Sequence, residues 1–152
     1  VTNQKSQVTS HKSQVTSHKS QVIDARFITT EQQRNMPTRI NYIELPGSDF
    51  AALERFYGDA FGWTFTSYGP EYHAFNDGAF DGGFFKSDAV SRQDNGATLV
   101  VLLSDALQSS FDTVMAHGGT IFKEIFSFPG GSRFHFLDPH GNELSVWTID
   151  DQ

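Results

Sequence analysis

The 152-residue sequence contains no cysteine. Disulfide scaffolds, thiolate nucleophiles and zinc or iron–sulfur centres built on Cys are therefore excluded within it. Long apolar runs are also missing, because a run such as Leu99–Leu103 falls far short of the ~20 residues that a membrane span requires. No apolar segment of signal-peptide type opens the sequence. We expect a soluble, cytoplasmic protein without a membrane partner.

Basic side chains are scarce, with 11 Lys and Arg against 18 Asp and Glu. Residues 1–35 hold five basic and two acidic residues, whereas residues 36–152 hold six and sixteen, a formal charge of −10. Nucleic-acid binders need clustered Lys and Arg to contact phosphates. The composition therefore argues against a nucleic-acid partner and favours a neutral or cationic small ligand.

The sequence begins with three copies of a seven-residue repeat that ends in Lys-Ser-Gln. Each copy has one apolar residue where a coiled-coil seam needs two, and the enrichment in Ser, Thr, Gln and Lys predicts disorder. His11 and His18 lie on this arm, and nothing pre-organises them as metal ligands. We predict a disordered extension over residues 1–35 and a folded domain over residues 36–152, beginning at Met36.

The folded part shows one order of elements twice. Residues 40–45 alternate as a strand, Ser48 or Asp49 caps a helix that ends at Gly62, and short aromatic strands follow. The second copy has a strand over 98–103, a helix capped by Ser104 or Asp105 and ended by Gly118-Gly119, and three further strands. The remaining strands are predicted at 63–66, 71–75, 83–85, 120–123, 133–137 and 143–148.

Landmarks in the two copies differ by 56 residues, as for Asp49 and Asp105 or Gly62 and Gly118. This spacing indicates an internal duplication, with module 1 over about 38–88 and module 2 over about 96–149. Each half alone has too few elements to cover a sheet. We predict an α+β fold in which two βαβββ modules form an eight-stranded, curved mixed sheet, an incomplete barrel with the helices outside and a cleft inside.

Several segments resemble the vicinal oxygen chelate superfamily, which includes glyoxalase I, bleomycin-resistance proteins, fosfomycin-resistance enzymes and extradiol dioxygenases. The resemblance covers residues 38–149, and its most specific parts are Ile43–Asp49, Arg55–Trp63, and Phe136–Asn142 leading into Glu143–Trp147. It implies the same paired βαβββ fold. The residue types at 138–142 are typical of a tight turn, which is a structural role. Such a turn would place His140 at an exposed tip, so we expect His140 to be a poor catalytic candidate.

Metal-dependent members of this superfamily hold a divalent ion with His or Gln on the first strand and Glu on the last strand of each half. The matching positions here are Tyr42, Thr98, Ser145 and the segment 82–84, which offers no ligand. Neutral hydroxyls bind divalent metals poorly, so we expect no metal cofactor. The alternative is a displaced site made of Glu44, Glu143, His73 and His135.

Strand alternation predicts the residues that line the cleft. Tyr42 shares a face with Ile40 and Glu44, and the same rule groups Thr98, Val100 and Leu102. An inward carboxylate is costly unless it is paired or wet, so Glu44 and Glu143 indicate a solvent-filled cleft, with an ion pair to Arg133 as the structural alternative. The predicted ligand-binding residues are Tyr42, Glu44, Thr98, Val100, Glu143, Ser145, Trp147, Phe75, Phe84 and His135.

Aromatic rings beside carboxylates suit a flat apolar or cationic molecule. The resemblance therefore favours a metal-independent small-molecule binding protein similar to the bleomycin-resistance branch, working as a homodimer. One alternative is a glyoxalase-like lyase or isomerase that uses a displaced metal, or Glu44 or Glu143 as a general base. Another is an interaction module with a collapsed cleft. The sequence leaves enzymatic activity open.

Overall fold

The computed structural model describes residues 37–150, so the predicted extension over 1–35 lies outside it. The elements follow the predicted order β-α-β-β-β in each half. They are β1 Tyr42–Gly47, α1 Phe50–Phe61, β2 Thr64–Ser67, β3 Tyr72–Asn76, β4 Asp81–Lys86, β5 Val100–Leu103, α2 Leu107–Ala116, β6 Thr120–Phe128, β7 Gly131–Leu137 and β8 Glu143–Ile149. Of the helices in the described residues, neither α1 nor α2 has the length and apolar character that crossing a membrane requires.

The strands form two four-stranded sheets, ordered β1-β4-β3-β2 and β5-β8-β7-β6. In each sheet the first strand pairs in parallel with the last, and the other neighbours are antiparallel. The α+β class and the paired modules are confirmed. Within residues 37–150 the two sheets share no hydrogen-bonded strand pair and no closed barrel forms, so β1 and β5 are edge strands of separate sheets.

Helix α1 begins and ends as the sequence predicts. Asp49 is the cap, because its carboxylate accepts a hydrogen bond from the Ala52 amide at 3.0 Å. Gly62 ends the helix in the left-handed conformation at φ 72°, which favours glycine. Between these residues the helix buries one apolar face. Its buried residues are Phe50, Leu53, Phe56 and Tyr57.

Helix α2 departs from the prediction at its start. It begins at Leu107 after Ala106, and neither Ser104 nor Asp105 caps it with a side chain. Instead, the Ser104 hydroxyl accepts from the Ala106 amide at 3.1 Å and lies 2.8 Å from the Ser110 hydroxyl. The start of α2 therefore lies one residue later than the 56-residue shift implies.

The core is aromatic and joins the two modules. Phe56 and Phe61 of α1 lie 5.8 and 5.9 Å from Phe136 of β7, measured between ring centroids. Tyr57 stacks on Trp63 at 4.4 Å, and its hydroxyl donates to Asp138 at 2.9 Å. Burying a large apolar side chain stabilises a fold by about 1.5 to 3 kcal/mol, so these rings are a main source of cohesion between the modules.

The turn over residues 138–142 also connects the modules. One carboxylate oxygen of Asp138 accepts from the amides of His140, Gly141 and Asn142 at 2.9 to 3.0 Å. The expected exposure of His140 is wrong, because its ring is half-buried and bonded on both sides. Its Nδ1 lies 3.1 Å from the Ser48 hydroxyl, and its Nε2 lies 2.7 Å from the Ala89 carbonyl. The turn packs against the start of α1, which shields part of this side chain from solvent.

Candidate functional site

A cleft of about 540 Å³ lies on the first sheet, and we call it the tyrosine cleft. Strand alternation forms it, because alternate residues of β2 and β3 point to the face opposite α1. Its volume falls within the ~300 to 1,000 Å³ of small-molecule sites. The lining residues are Tyr42, Thr64, Thr66, Tyr68, Tyr72, Ala74, Phe75, Asn76 and Asp81.

Tyr72 lies across the neighbouring strand at a position where that strand has no side chain. A Cβ atom built on Gly83 would stand 2.1 Å from the Tyr72 hydroxyl oxygen, so only glycine admits the ring. From there the Tyr72 hydroxyl donates to the Glu44 carboxylate at 2.9 Å and lies 2.8 Å from the Tyr42 hydroxyl. Strands β3 and β1 thus contribute the side chains of one hydrogen-bonded group, and β4 leaves room for it at Gly83.

The cleft is acidic. Burial raises the pKa of Tyr72, and the hydrogen bonds with Tyr42 and Glu44 raise it further, so the phenol keeps its proton and remains a donor to the carboxylate. At the other end Asn76 donates to Asp81 at 2.8 Å. None of the residues lining the cleft is basic. A site lined by charge of one sign concentrates ligands of the opposite sign.

Two further rings widen the aromatic wall. Tyr42 and Tyr68 are 40% and 71% exposed, which leaves their faces available to a ligand. The Tyr68 ring centroid lies 6.5 Å from that of Tyr72. Such rings attract cations through their π faces and stack on flat molecules.

The second sheet carries a different pair of groups. His135 Nδ1 donates to the Glu143 carboxylate at 2.8 Å, and both side chains are buried. Burial lowers the pKa of His135 and outweighs the hydrogen bond to Glu143, which would raise that pKa. Burial alone would raise the pKa of Glu143, but hydrogen bonds from His135 and the Gln93 amide outweigh it and lower that pKa.

Arg133 is not the partner of Glu143. Its guanidinium carbon lies over the rings of Phe126 and Phe128, at 5.1 and 5.4 Å from their centroids. The Glu143 carboxylate is therefore paired with His135, and the ion pair that we considered between Glu143 and Arg133 does not form.

The expected facing of β5 is wrong. Val100 and Leu102 pack against the hydrophobic core, whereas Val101 and Leu103 are 43% and 65% exposed. Thr98 is exposed and precedes the strand. The start of α2 is displaced by one residue in the same way, and a displacement of one residue reverses the faces of a strand.

The remaining predicted residues fall into separate environments. Phe84 is fully buried beside Tyr57, and Phe75 is a core residue whose edge reaches the tyrosine cleft. Ser145 is buried and donates to the Phe134 carbonyl at 2.9 Å. Trp147 is half-buried beside Phe128, at 6.1 Å between centroids. Of the predicted set, Tyr42 and Glu44 belong to the Tyr72 group, whereas His135, Glu143, Ser145 and Trp147 lie on the second sheet.

Sequence reasoning missed most of the tyrosine cleft. The alternation of Tyr72, Ala74 and Asn76 along β3 is readable in the sequence, but alternation alone does not say which face of that strand is turned to the cleft. The missing signal was the small residue Gly83 opposite Ala74, which leaves room for a neighbouring ring. The cleft residues outside the predicted set are Thr64, Thr66, Tyr68, Tyr72, Ala74, Asn76 and Asp81.

The side chains at the metal positions of the superfamily do not fit a divalent ion. The Tyr42 hydroxyl is bonded to Tyr72, and Ser145 is bonded to a main-chain carbonyl. The displaced site does not assemble either, because Glu44 bonds Tyr72, His73 bonds Glu54, and His135 bonds Glu143. Over residues 37–150, no group of three or more His, Asp or Glu side chains is placed to hold an ion.

Comparisons with solved structures agree with this architecture. A glyoxalase/bleomycin resistance protein/dioxygenase family enzyme from Burkholderia phytofirmans PsJN is 17% identical with a TM-score of 0.63, over 74% of this chain and 100% of its own. The genomically encoded fosfomycin resistance protein FosX from Listeria monocytogenes is 14% identical with a TM-score of 0.63, over 76% and 96%. A glyoxalase-related enzyme from Fulvimarina pelagi is 22% identical with a TM-score of 0.57, over 74% and 88%.

At these identities the structural likeness shows the fold alone. No curated protein matches the sequence. A family profile, described as the Glyoxalase/Bleomycin resistance protein/Dioxygenase superfamily, matches residues 39–146. This match covers most of the chain and coincides with the two βαβββ modules, so the chain belongs to the glyoxalase/bleomycin resistance protein/dioxygenase superfamily.

Proposed function

We propose that this protein binds a small, flat, cationic aromatic molecule in the tyrosine cleft, and that it does so without a metal. The observation that carries the proposal is the hydrogen bond from Tyr72 to Glu44 across Gly83. It holds a carboxylate in a fixed position beside exposed aromatic rings. A pre-positioned group loses less conformational freedom on binding, which favours affinity.

The chemistry of the lining supports a cation over an anion. Asp81 supplies negative charge within the lining of the cleft, and Glu44 supplies it beside the cleft, at the hydroxyl of the lining residue Tyr72. The tyrosine faces supply cation–π attraction. The family description includes bleomycin resistance proteins, a name that refers to a small molecule. The donor set at the metal positions supports a metal-independent mode.

We also propose that the protein forms a homodimer through the edge strands β1 and β5. Both strands present unpaired backbone groups within the described residues, and Leu103 on β5 is 65% exposed. An exposed apolar edge strand is a template for pairing with another chain. Pairing β1 of one protomer with β5 of its partner would complete the eight-stranded sheet that the sequence predicts.

Isothermal titration with proflavine, a flat tricyclic cation, tests the proposed function. We expect saturable binding by the full chain that EDTA leaves unchanged, and at least tenfold weaker binding of acridone, a neutral molecule of the same shape. Glu44→Gln should weaken proflavine binding about tenfold, equivalent to ~1.4 kcal/mol. Glu71→Gln, which removes the same charge from an exposed position, is the matched control.

Equal affinities for proflavine and acridone would contradict the cationic part of the proposal. Binding that EDTA abolishes and Zn²⁺ or Ni²⁺ restores would contradict the metal-independent part. Steady conversion of a bound compound to product, lost in Glu44→Gln, would establish the enzyme alternative with Glu44 as general base.

A further inference from the structure

Two polar atoms on the second sheet are buried without a hydrogen-bond partner. They are Nε of Arg133 and Nε2 of His135, and no other buried side-chain nitrogen or oxygen of the described residues shares this property. More than 90% of buried polar groups in native proteins are paired, so each exception calls for an explanation. Both atoms belong to β7, two residues apart, and therefore lie on one face of the strand.

The chemistry of the missing partner follows from the two atoms. His135 uses its Nδ1 proton to bond the Glu143 carboxylate at 2.8 Å, and burial together with the charges of Lys123 and Arg133 lowers its pKa, so the ring is neutral. Its Nε2 is then an acceptor, whereas Nε of Arg133 is always a donor. The missing partner must donate to one atom and accept from the other. A hydroxyl group does both.

Aromatic rings surround the two atoms. The Phe126 centroid lies 5.1 Å from the guanidinium carbon of Arg133 and 5.8 Å from the His135 ring. Phe128 lies 5.4 Å from the same carbon and 6.1 Å from the Trp147 ring. A hydroxyl group carried on an aromatic ring would place its apolar part against these side chains.

Phe126 offers a route to the buried atoms. It is 36% exposed and lies on β6, an edge strand of the second sheet. The register of β6 against β7 shifts between Lys123 and Phe126, which is an irregularity of the β-bulge type. Bulges on edge strands re-aim side chains and often adjoin binding sites. Phe126 is thus a partly exposed side chain in contact with both Arg133 and His135, and a ligand that reaches them from this side must displace its ring.

We propose that Arg133 and His135 form a binding site for a phenol-type hydroxyl compound, separate from the tyrosine cleft. The hydroxyl oxygen accepts from Nε of Arg133 and donates its proton to Nε2 of His135. Glu143 is a positioning residue, because it fixes the tautomer and orientation of the imidazole. The site lies on the second sheet and does not depend on the function proposed for the first.

The test is a titration of the full chain with phenol, toluene and benzoate, followed by the ¹⁵N shift of the His135 Nε2 atom and by calorimetry. Toluene matches phenol in size and lacks the hydroxyl. We expect phenol to bind at least tenfold more tightly than toluene or benzoate and to shift Nε2. Arg133→Lys, which keeps the charge and removes Nε, should weaken phenol binding at least fivefold.

Arg55→Lys, at an exposed position, is the control and should leave phenol binding unchanged. Equal affinity for phenol and toluene would overturn the proposal, since it would show an apolar cavity alone. Tighter binding of benzoate would overturn the hydroxyl assignment. A crystal grown with phenol that shows only a buried water between the two nitrogens would also overturn it.

Discussion

The Asn142 side chain donates to the Pro46 carbonyl at 2.8 Å, although the two residues are 96 positions apart. The oxygen of the Asn142 side chain accepts from the Ser91 amide at 3.0 Å. Its nitrogen, which donates to Pro46, also donates to the Asp138 carboxylate at 3.0 Å. Asn142 is fully buried. One side chain therefore joins the end of β1, the connection between the modules and the turn before β8.

Replacing Asn142 should destabilise the whole domain. Asn142→Leu keeps the branch at Cγ and the number of side-chain heavy atoms but removes all three hydrogen bonds, leaving buried groups unpaired at about 1 to 3 kcal/mol each. We expect a loss of about 3 kcal/mol in the free energy of unfolding, measured by urea denaturation. Gln108→Ala removes one exposed hydrogen bond, to Asp112, and should cost under about 0.5 kcal/mol. Similar losses for the two variants would contradict the role of Asn142.

Gly83→Ala should disrupt the tyrosine cleft. The new methyl group would stand 2.1 Å from the Tyr72 hydroxyl oxygen and 2.4 Å from Cζ, so the ring must leave Glu44. We expect a loss of about 1 to 3 kcal/mol in stability, as for other overpacked sites. Proflavine affinity should fall together with it.

A second substitution separates this clash from a general effect of Gly83→Ala. Tyr72→Ala removes the ring, so adding Gly83→Ala to it should have little further effect on stability. Such non-additivity is the signature of two residues in contact. Additive losses in urea denaturation would show that Gly83 acts through something other than Tyr72.

The His135–Glu143 pair should make stability sensitive to acid. Both pKa values are lowered in the fold, from ordinary values of 6.5 and 4.5. As the pH falls, these two groups therefore take up protons at a higher pH in the unfolded chain than in the folded one. The free energy of unfolding decreases as pH falls below about 6.5. Burial raises the pKa of Asp138, which acts in the opposite direction, so variants must be compared with the parent.

The measurement is the free energy of unfolding at pH 7.5, 6.5, 5.5 and 5.0. His135→Gln should flatten the decrease between pH 6.5 and 5.0 relative to the parent, whatever its effect at pH 7.5. His117→Gln changes an exposed histidine and should keep the parental slope. A parental slope in His135→Gln would refute the assignment.

Leu103→Lys should prevent dimer formation. A charged side chain on an edge strand opposes pairing with another chain, and Leu103 lies on the exposed face of β5. Light scattering during size-exclusion chromatography should give twice the chain mass for the parent and a single chain mass for the variant. Met115→Lys, at an exposed position on α2, is the control. A monomeric parent at high micromolar concentration would contradict the proposed dimer.

Local signals in the sequence account for most of the fold. Asp49, Gly62 and the alternation of short aromatic segments predicted the element order, because caps and turns depend on neighbouring residues. The prediction of the facing of β5 failed because it assumed that the 56-residue shift holds through this strand, whereas α2 begins one residue later than that shift implies. The partners of Tyr72 and His140 were beyond reach for a different reason. They lie 28 or more residues away and are set by tertiary packing.

The two glycines of β4 also limit how the chain can change. In metal-dependent relatives a ligand is expected within residues 82–84, but a side chain on Gly82 would stand 2.2 Å from the Phe75 ring and one on Gly83 would meet Tyr72. Phe84 is fully buried in the core. A metal ligand introduced at either glycine would therefore require an aromatic ring of the neighbouring strand to move.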